Sequence, residues 1–140
     1  MSEVIRRYAL EPLPGEGGFF RFISRFGADA GCIFYLVTSD SFSSLHRLVD
    51  DELWFFLDGD DAIQLTFDEE TGHSVSVPLD RDHRTSLVKG GLWQATKLVE
   101  GGRWALFSTV MSPHYDESMY SSPPARLLED HPFLKEYLNA

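Results

Sequence analysis

An all-β fold, a sandwich or barrel of short strands, is what this chain predicts, and three observations carry the prediction. Turn signals interrupt it roughly every ten residues with no long amphipathic helix between them, so consecutive strands are expected to pair antiparallel. Eleven Phe, five Tyr and three Trp favour pleated, half-buried surfaces. Eleven Gly and seven Pro supply the turns. With 140 residues and 43% hydrophobic content the chain suits one domain, 1–140, with a barrel core over about 10–117 and a helical tail over 118–140.

The elements follow in order. Residues 2 to 9 suit a short helix or arm, and LPGEGGFFRF reads as a Gly/Pro turn feeding an extended segment. GCIFYLVTS, residues 31–39, is a continuous apolar run bounded by Gly and Ser/Asp, which suits a strand buried on both faces. SFSSLHRLVDDELWFFLDGD, residues 41–60, reads as a hairpin. The stretch 52–79 gives two strands and a hairpin, with breaks at Asp58-Gly59-Asp60 and Glu70-Thr71-Gly72-His73. Three further strands come from TSLVKGGLWQATKLVEGGRWALFSTVMSP, divided at Lys89-Gly90-Gly91 and Glu100-Gly101-Gly102. In the tail, Pro123 and Pro132 suit first helical turns, with Ser122 and His131 or Asp130 as caps.

A formal charge of −10 and the lack of a basic cluster exclude a nucleic-acid role, which depends on Lys and Arg displacing counterions from phosphates. MSEVIRRYALEP has no apolar signal region, and nowhere is there a run of the ~18 apolar residues that a membrane span needs. A cytoplasmic location is expected. The lone Cys32 excludes an internal disulfide framework and reads as a small apolar core residue.

Alternation places Glu52, Trp54 and Phe56 on one face of their strand and Leu53, Phe55 and Leu57 on the other, so this strand is predicted to be buried twice. A carboxylate at the start of such a strand must be paired, hydrogen-bonded or ligating, which makes Glu52 the most informative acid in the chain.

Here the sequence resembles the cupin superfamily, whose first motif carries two His, a Glu and a Gly seven residues after the Glu. Glu52 and Gly59 keep that last spacing. LVKGGLWQATKL matches the second motif, with Gly91 in the turn, Gln94 at the position of a ligand His, and Lys89 in place of a Pro. More closely, the chain resembles the Cupin-5 type subfamily, on Glu16-Gly17-Gly18-Phe19-Phe20, Ser43-Ser44-Leu45-His46-Arg47, Asp51-Glu52-Leu53-Trp54 and Trp93-Gln94-Ala95. The resemblance implies a jelly-roll barrel of two antiparallel sheets, a pocket at one mouth and a homodimer. Phe55 and Phe22 stand where the subfamily commonly has a His and an acid, which implies a more apolar pocket.

A cupin metal site takes three imidazoles and a carboxylate. This chain offers His46 and Glu52, with Ser44 and Gln94 where imidazoles are expected, and five residues rather than three or four between His46 and Glu52. No metal or other cofactor is predicted; were one bound, His46, Glu52 and Gln94 would hold it. Arg47, if inward, would pair with Glu52 and exclude a cation.

The expected function is therefore metal-independent binding of a small molecule, a carbohydrate or sugar nucleotide by analogy with the epimerase-like barrels. Trp54, Phe56 and Trp93 or Leu92 would shape the cavity, and Glu16, Ser44, His46, Glu52 and Gln94 would read polar groups. The enzymatic alternative is an isomerase or epimerase with His46 as base and Glu52 orienting it, or a metal-dependent cupin enzyme. His73 and His83 read as exposed turn residues. His114 lies in the wrong region for an epimerase base, Tyr115 reads as packing, and Asp116 as a cap or rim contact.

Overall fold

The computed structural model describes residues 2–140. Helix α1 (Ser2–Arg7) precedes ten strands: β1 (Glu11–Pro12), β2 (Phe19–Phe26), β3 (Ala30–Thr38), β4 (Ser43–Leu48), β5 (Glu52–Gly59), β6 (Ala62–Asp68), β7 (His73–Leu79), β8 (Thr85–Val88), β9 (Trp93–Leu98) and β10 (Trp104–Met111). A 3₁₀ turn (Glu117–Met119), the two-residue β11 (Tyr120–Ser121), α2 (Ala125–Asp130) and a second 3₁₀ segment (Pro132–Tyr137) complete the tail. Two antiparallel sheets face each other, one in the order β1-β2-β3-β10-β5-β8 and the other β11-β4-β9-β6-β7. This is a jelly roll. No helix among the described residues is long and apolar enough to cross a membrane.

The strand content predicted from the sequence is present, but its pairing differs. Only β1–β2, β2–β3 and the hairpin β6–β7 join neighbours in sequence. The stretch 41–60 is not a hairpin: β4 belongs to the second sheet and β5 to the first. The short link between them turns a corner, held by the Gly90 N–H donating to Asp51 Oδ1 at 2.8 Å. Gly90 fits there because a Cβ would sit 2.1 Å from the Val49 carbonyl oxygen.

Three apolar clusters hold the elements together. The first lies between the sheets and includes Tyr35, Val37, Trp54, Phe56 and Phe107. The second lies outside the β4-β9-β6 face, where Leu45, Leu65, Phe67 and Trp93 meet Leu127 and Leu134 of the tail. In the third, α1 packs Val4 and Ile5 over Leu36 and Leu106 on the outer face of the first sheet. Strand β5 is fully buried only on its inner face: Leu53 and Phe55 are half-buried and Leu57 is exposed.

The tail caps also differ from expectation. Helix α2 begins after Pro124, not after a Ser122 cap, and Pro132 does open its 3₁₀ segment, with His131 at the cap position but making no side-chain bond. Pro123-Pro124 holds the chain extended, which delays the helix.

Candidate functional site

The Glu16-Gly17-Gly18 turn aims a carboxylate into the barrel. Gly17 and Gly18 have φ of +94° and +70°, a region that L side chains rarely enter. Space forbids a side chain as well: a Cβ on Gly18 would lie 2.4 Å from the Tyr35 hydroxyl. That hydroxyl donates to the Gly17 carbonyl at 2.5 Å, and Asn139 Nδ2 donates to the Glu16 carbonyl at 3.2 Å. With its backbone so clamped, Glu16 accepts a hydrogen bond from Ser43 Oγ at 2.9 Å and lies 3.6 Å from His46 Nε2.

Strand β4 reaches this arrangement through a bulge. Ser43 pairs with Thr96 and His46 with Gln94, so three steps along β4 match two along β9. Ser43 and His46 therefore share the inner face, and Ser44, expected inside by its two-residue spacing from His46, does not. Its hydroxyl instead accepts from the Asn139 backbone N–H at 3.2 Å. His46 is 1% exposed and stacks on Tyr120. Its Nδ1 lies 2.7 Å from the Ser44 carbonyl. A carbonyl only accepts, so Nδ1 carries a hydrogen and Nε2 faces Glu16.

Glu52 is buried at the start of β5, opposite Val88 and Met111. Burial and then the charge of Glu16 push its carboxyl from an ordinary 4.5 up to about 7, against the opposing pull of His46 and of hydrogen bonds from Thr109 and Gln94. Burial and the Glu16 charge likewise raise the Tyr35 hydroxyl well above its usual value. Behind these groups, Ser86 Oγ donates to Gln64 Oε1 at 2.6 Å and Gln64 Nε2 donates to Thr96 Oγ1 at 2.8 Å, tying the two sheets together through their polar interior.

A cavity of about 300 Å³ opens at this mouth. Glu16, Glu52 and Thr109 give its lining a polar part, and Phe20, Phe22, Ile33, Tyr35 and Trp54 an apolar and aromatic one. His114, Tyr115 and Glu117, on the loop after β10, close the rim. Two wall residues keep an unused polar atom, Trp54 Nε1 and His114 Nδ1.

Of the sequence candidates, Glu16, Glu52 and Trp54 line the cavity, while Ser44, His46, Phe56 and Gln94 do not. His46 and Gln94 stand behind the carboxylates. Phe56 belongs to the closed core, and Trp93 faces the tail, its indole N–H bonded to Glu69 at 3.0 Å. Arg47 does not enter the barrel: it lies over the Trp93 ring at 4.5 Å and 3.8 Å from Glu69. Phe22 takes part in the apolar wall, whereas Phe55 is on the opposite face of β5 from Trp54. Asp116 caps the 3₁₀ turn by accepting from the Ser118 N–H. Tyr35 and Thr109 are not among the sequence candidates; of the His114-Tyr115-Asp116 stretch, Asp116 keeps the cap role expected of it, while His114, Tyr115 and the neighbouring Glu117 take the rim. An inward hydroxyl in an apolar strand has no local signal, and the approach of a loop to the mouth depends on long-range folding.

The donor set does not fit a cupin metal centre. One imidazole, already held by Ser44 and Glu16, stands where three are needed, and among the described residues no three His, Cys, Asp or Glu side chains converge at ligating distances.

Two facing antiparallel sheets with a partly polar cavity at one mouth define a cupin barrel. The profile of the family Cupin_5, described as Cupin superfamily (DUF985), matches residues 2–121, and the chain belongs to that family. A hypothetical protein from Leishmania major is similar over 99% of this chain and 98% of its own, with 23% identity and a TM-score of 0.87. Protein SO0799 from Shewanella oneidensis is similar over 99% and 96%, with 23% identity and a TM-score of 0.88. A cupin 2 conserved barrel domain protein from Rhodopseudomonas palustris follows at 11% identity over 94% and 90%, with a TM-score of 0.70. These likenesses establish the fold. No curated protein matches the sequence significantly.

Proposed function

We propose that this cupin binds a small organic molecule in the cavity at its barrel mouth and does so without a metal ion. The observation that carries the reading is the union of an aromatic-walled cavity of about 300 Å³ with a buried carboxyl and an unpartnered indole N–H in its lining. Concave apolar sites with a few convergent polar groups are the usual ligand sites. The test is thermal stabilisation across a library of small polar and amphipathic metabolites, with Trp54→Phe and Glu52→Gln as controls. A hit whose stabilisation is lost in both variants supports the reading; hits indifferent to both would place binding elsewhere.

A second reading is favoured by one observation. A carboxyl titrating near 7 inside a cavity is suited to proton transfer, so Glu52, not His46, would serve as acid and base if the protein were an isomerase. Solvent deuterium incorporation into a bound ligand, abolished in Glu52→Gln, would mark that activity. We also propose a homodimer, supported by the exposed Phe22, Ile23 and Phe26 on β2, whose outer edge β1 covers only at Phe19 and Phe20; sedimentation distinguishes it from a monomer. A cytoplasmic location is compatible with the single free cysteine.

A further inference from the structure

We infer that the cavity selects a compact organic cation, an amine or quaternary ammonium that also carries a hydrogen-bond acceptor; this rests on the ligand-binding reading above and names its ligand class. The walls carry three acidic side chains, Glu16 and Glu117 and the more weakly ionised Glu52, and no Lys or Arg. An anion entering the cavity would meet like charges in a partly dehydrated space, where repulsion is stronger than in water, whereas a cation would be drawn in. The Glu16 charge reaches across the mouth, since it contributes to raising the hydroxyls of Tyr35, Tyr115 and Tyr120.

Five aromatic rings stand on the same walls: Phe20, Phe22, Tyr35, Trp54 and Tyr115. The face of an aromatic ring attracts a cation, most strongly for Trp and when the cation is desolvated, so rings and carboxylates favour the same charge. The demand for an acceptor comes from a separate feature. Trp54 is 1% exposed and its N–H, a donor only, has no partner. A hydroxyl, ether or carbonyl on the ligand would satisfy it. About 300 Å³ is at the small end of ligand sites, which disfavours a sugar nucleotide by size as the carboxylates do by charge.

The experiment uses two sets of shape-matched probes. One is choline, the uncharged alcohol in which carbon replaces its nitrogen, and the acid of the same shape; the other is 3-methoxybenzylamine, 3-methoxybenzyl alcohol and 3-methoxybenzoate, whose ether oxygen supplies the acceptor. Binding is followed by calorimetry and by the NMR signal of the Trp54 indole N–H, assigned with Trp54→Phe. The expected result is that at least one cation shifts that signal and binds about tenfold or more tightly than its alcohol, with no binding of the acids. Glu52→Gln should weaken the cation and spare the alcohol. Glu117→Gln, at an exposed rim position that cannot endanger folding, should weaken the cation by a smaller factor. An alcohol or acid that shifts the Trp54 signal and binds as tightly as its cation overturns the cation class and leaves the cavity a ligand site. Absence of any shift with all six probes at millimolar concentration overturns the inference and counts against the cavity reading as well.

Discussion

The two sheets of the barrel differ in what they turn towards its interior. The first turns Trp54, Phe56, Tyr35 and Phe107 into the barrel, as a sandwich sheet is expected to do. The second turns His46, Gln64, Gln94 and Thr96 inward, all of them 1% exposed or less, and presents Leu45, Leu65, Phe67 and Trp93 outward. That inversion is stable because the tail lays Leu127 and Leu134 over the outward face, and because Gln64 bonds Thr96 on the neighbouring strand and Ser86 of the facing sheet. Hydrophobic alternation marks which face is buried against something; it does not say whether that something is the barrel or a helix outside it.

The outward apolar face of the second sheet depends on the tail. Leu134→Ala should destabilise the protein by about 2–5 kcal/mol in urea denaturation, because the side chain is 0% exposed and its loss uncovers the outward face of β9. A loss below about 1 kcal/mol would mean that the tail merely rests on the barrel.

Inside, Glu52 carries the sign of its pH effect. Its folded carboxyl is raised from 4.5 to about 7, so its stabilising contribution is full below pH 4.5 and is lost as the pH rises through 7. Glu52→Gln should remove this loss and become the more stable protein at alkaline pH, by up to roughly 3 kcal/mol. Urea midpoints of both proteins across this range check the direction; parallel curves would contradict it.

A smaller effect is expected at the seam where the tail meets the mouth. Asn139 accepts from the Phe42 N–H at 3.0 Å and donates to the Phe42 and Glu16 carbonyls at 2.7 and 3.2 Å. Asn139→Ala should destabilise by about 1–3 kcal/mol, since it orphans part-buried backbone groups, and should shift the NMR signals of Glu16 and Ser43. The smallest change belongs to Arg47→Ala. This residue is 40% exposed and pairs only with a ring face and a surface carboxylate, so less than about 1 kcal/mol is expected, together with no change at the cavity.

Much of this was legible in the sequence. Turn spacing predicted the strands, and the Glu-Gly-Gly, Asp-Glu and Trp-Gln-Ala segments pointed to the cupin barrel and to Glu16, Glu52 and Trp54. What was not legible has physical causes. Alternation across 43–46 fails at a bulge, which exchanges Ser44 for Ser43 as the inward hydroxyl. Arg47 and Trp93 form an outward stack because β4 and β9 are the inverted sheet, a fact that resides in the distant Leu127 and Leu134. His114 comes to the mouth by packing over Gly31, where a Cβ would lie 2.8 Å from its own, a contact that no local pattern announces.

The inward groups of the second sheet and the Glu16 turn form one electrostatic unit with Glu52 at the cavity. Titration of the Glu52 carboxyl by carbon NMR, in the native chain and in Glu16→Gln, tests it most directly. The expected midpoint is near 7 and falls when the Glu16 charge is removed. A midpoint in the ordinary carboxylate range, unmoved by Glu16→Gln, would contradict it.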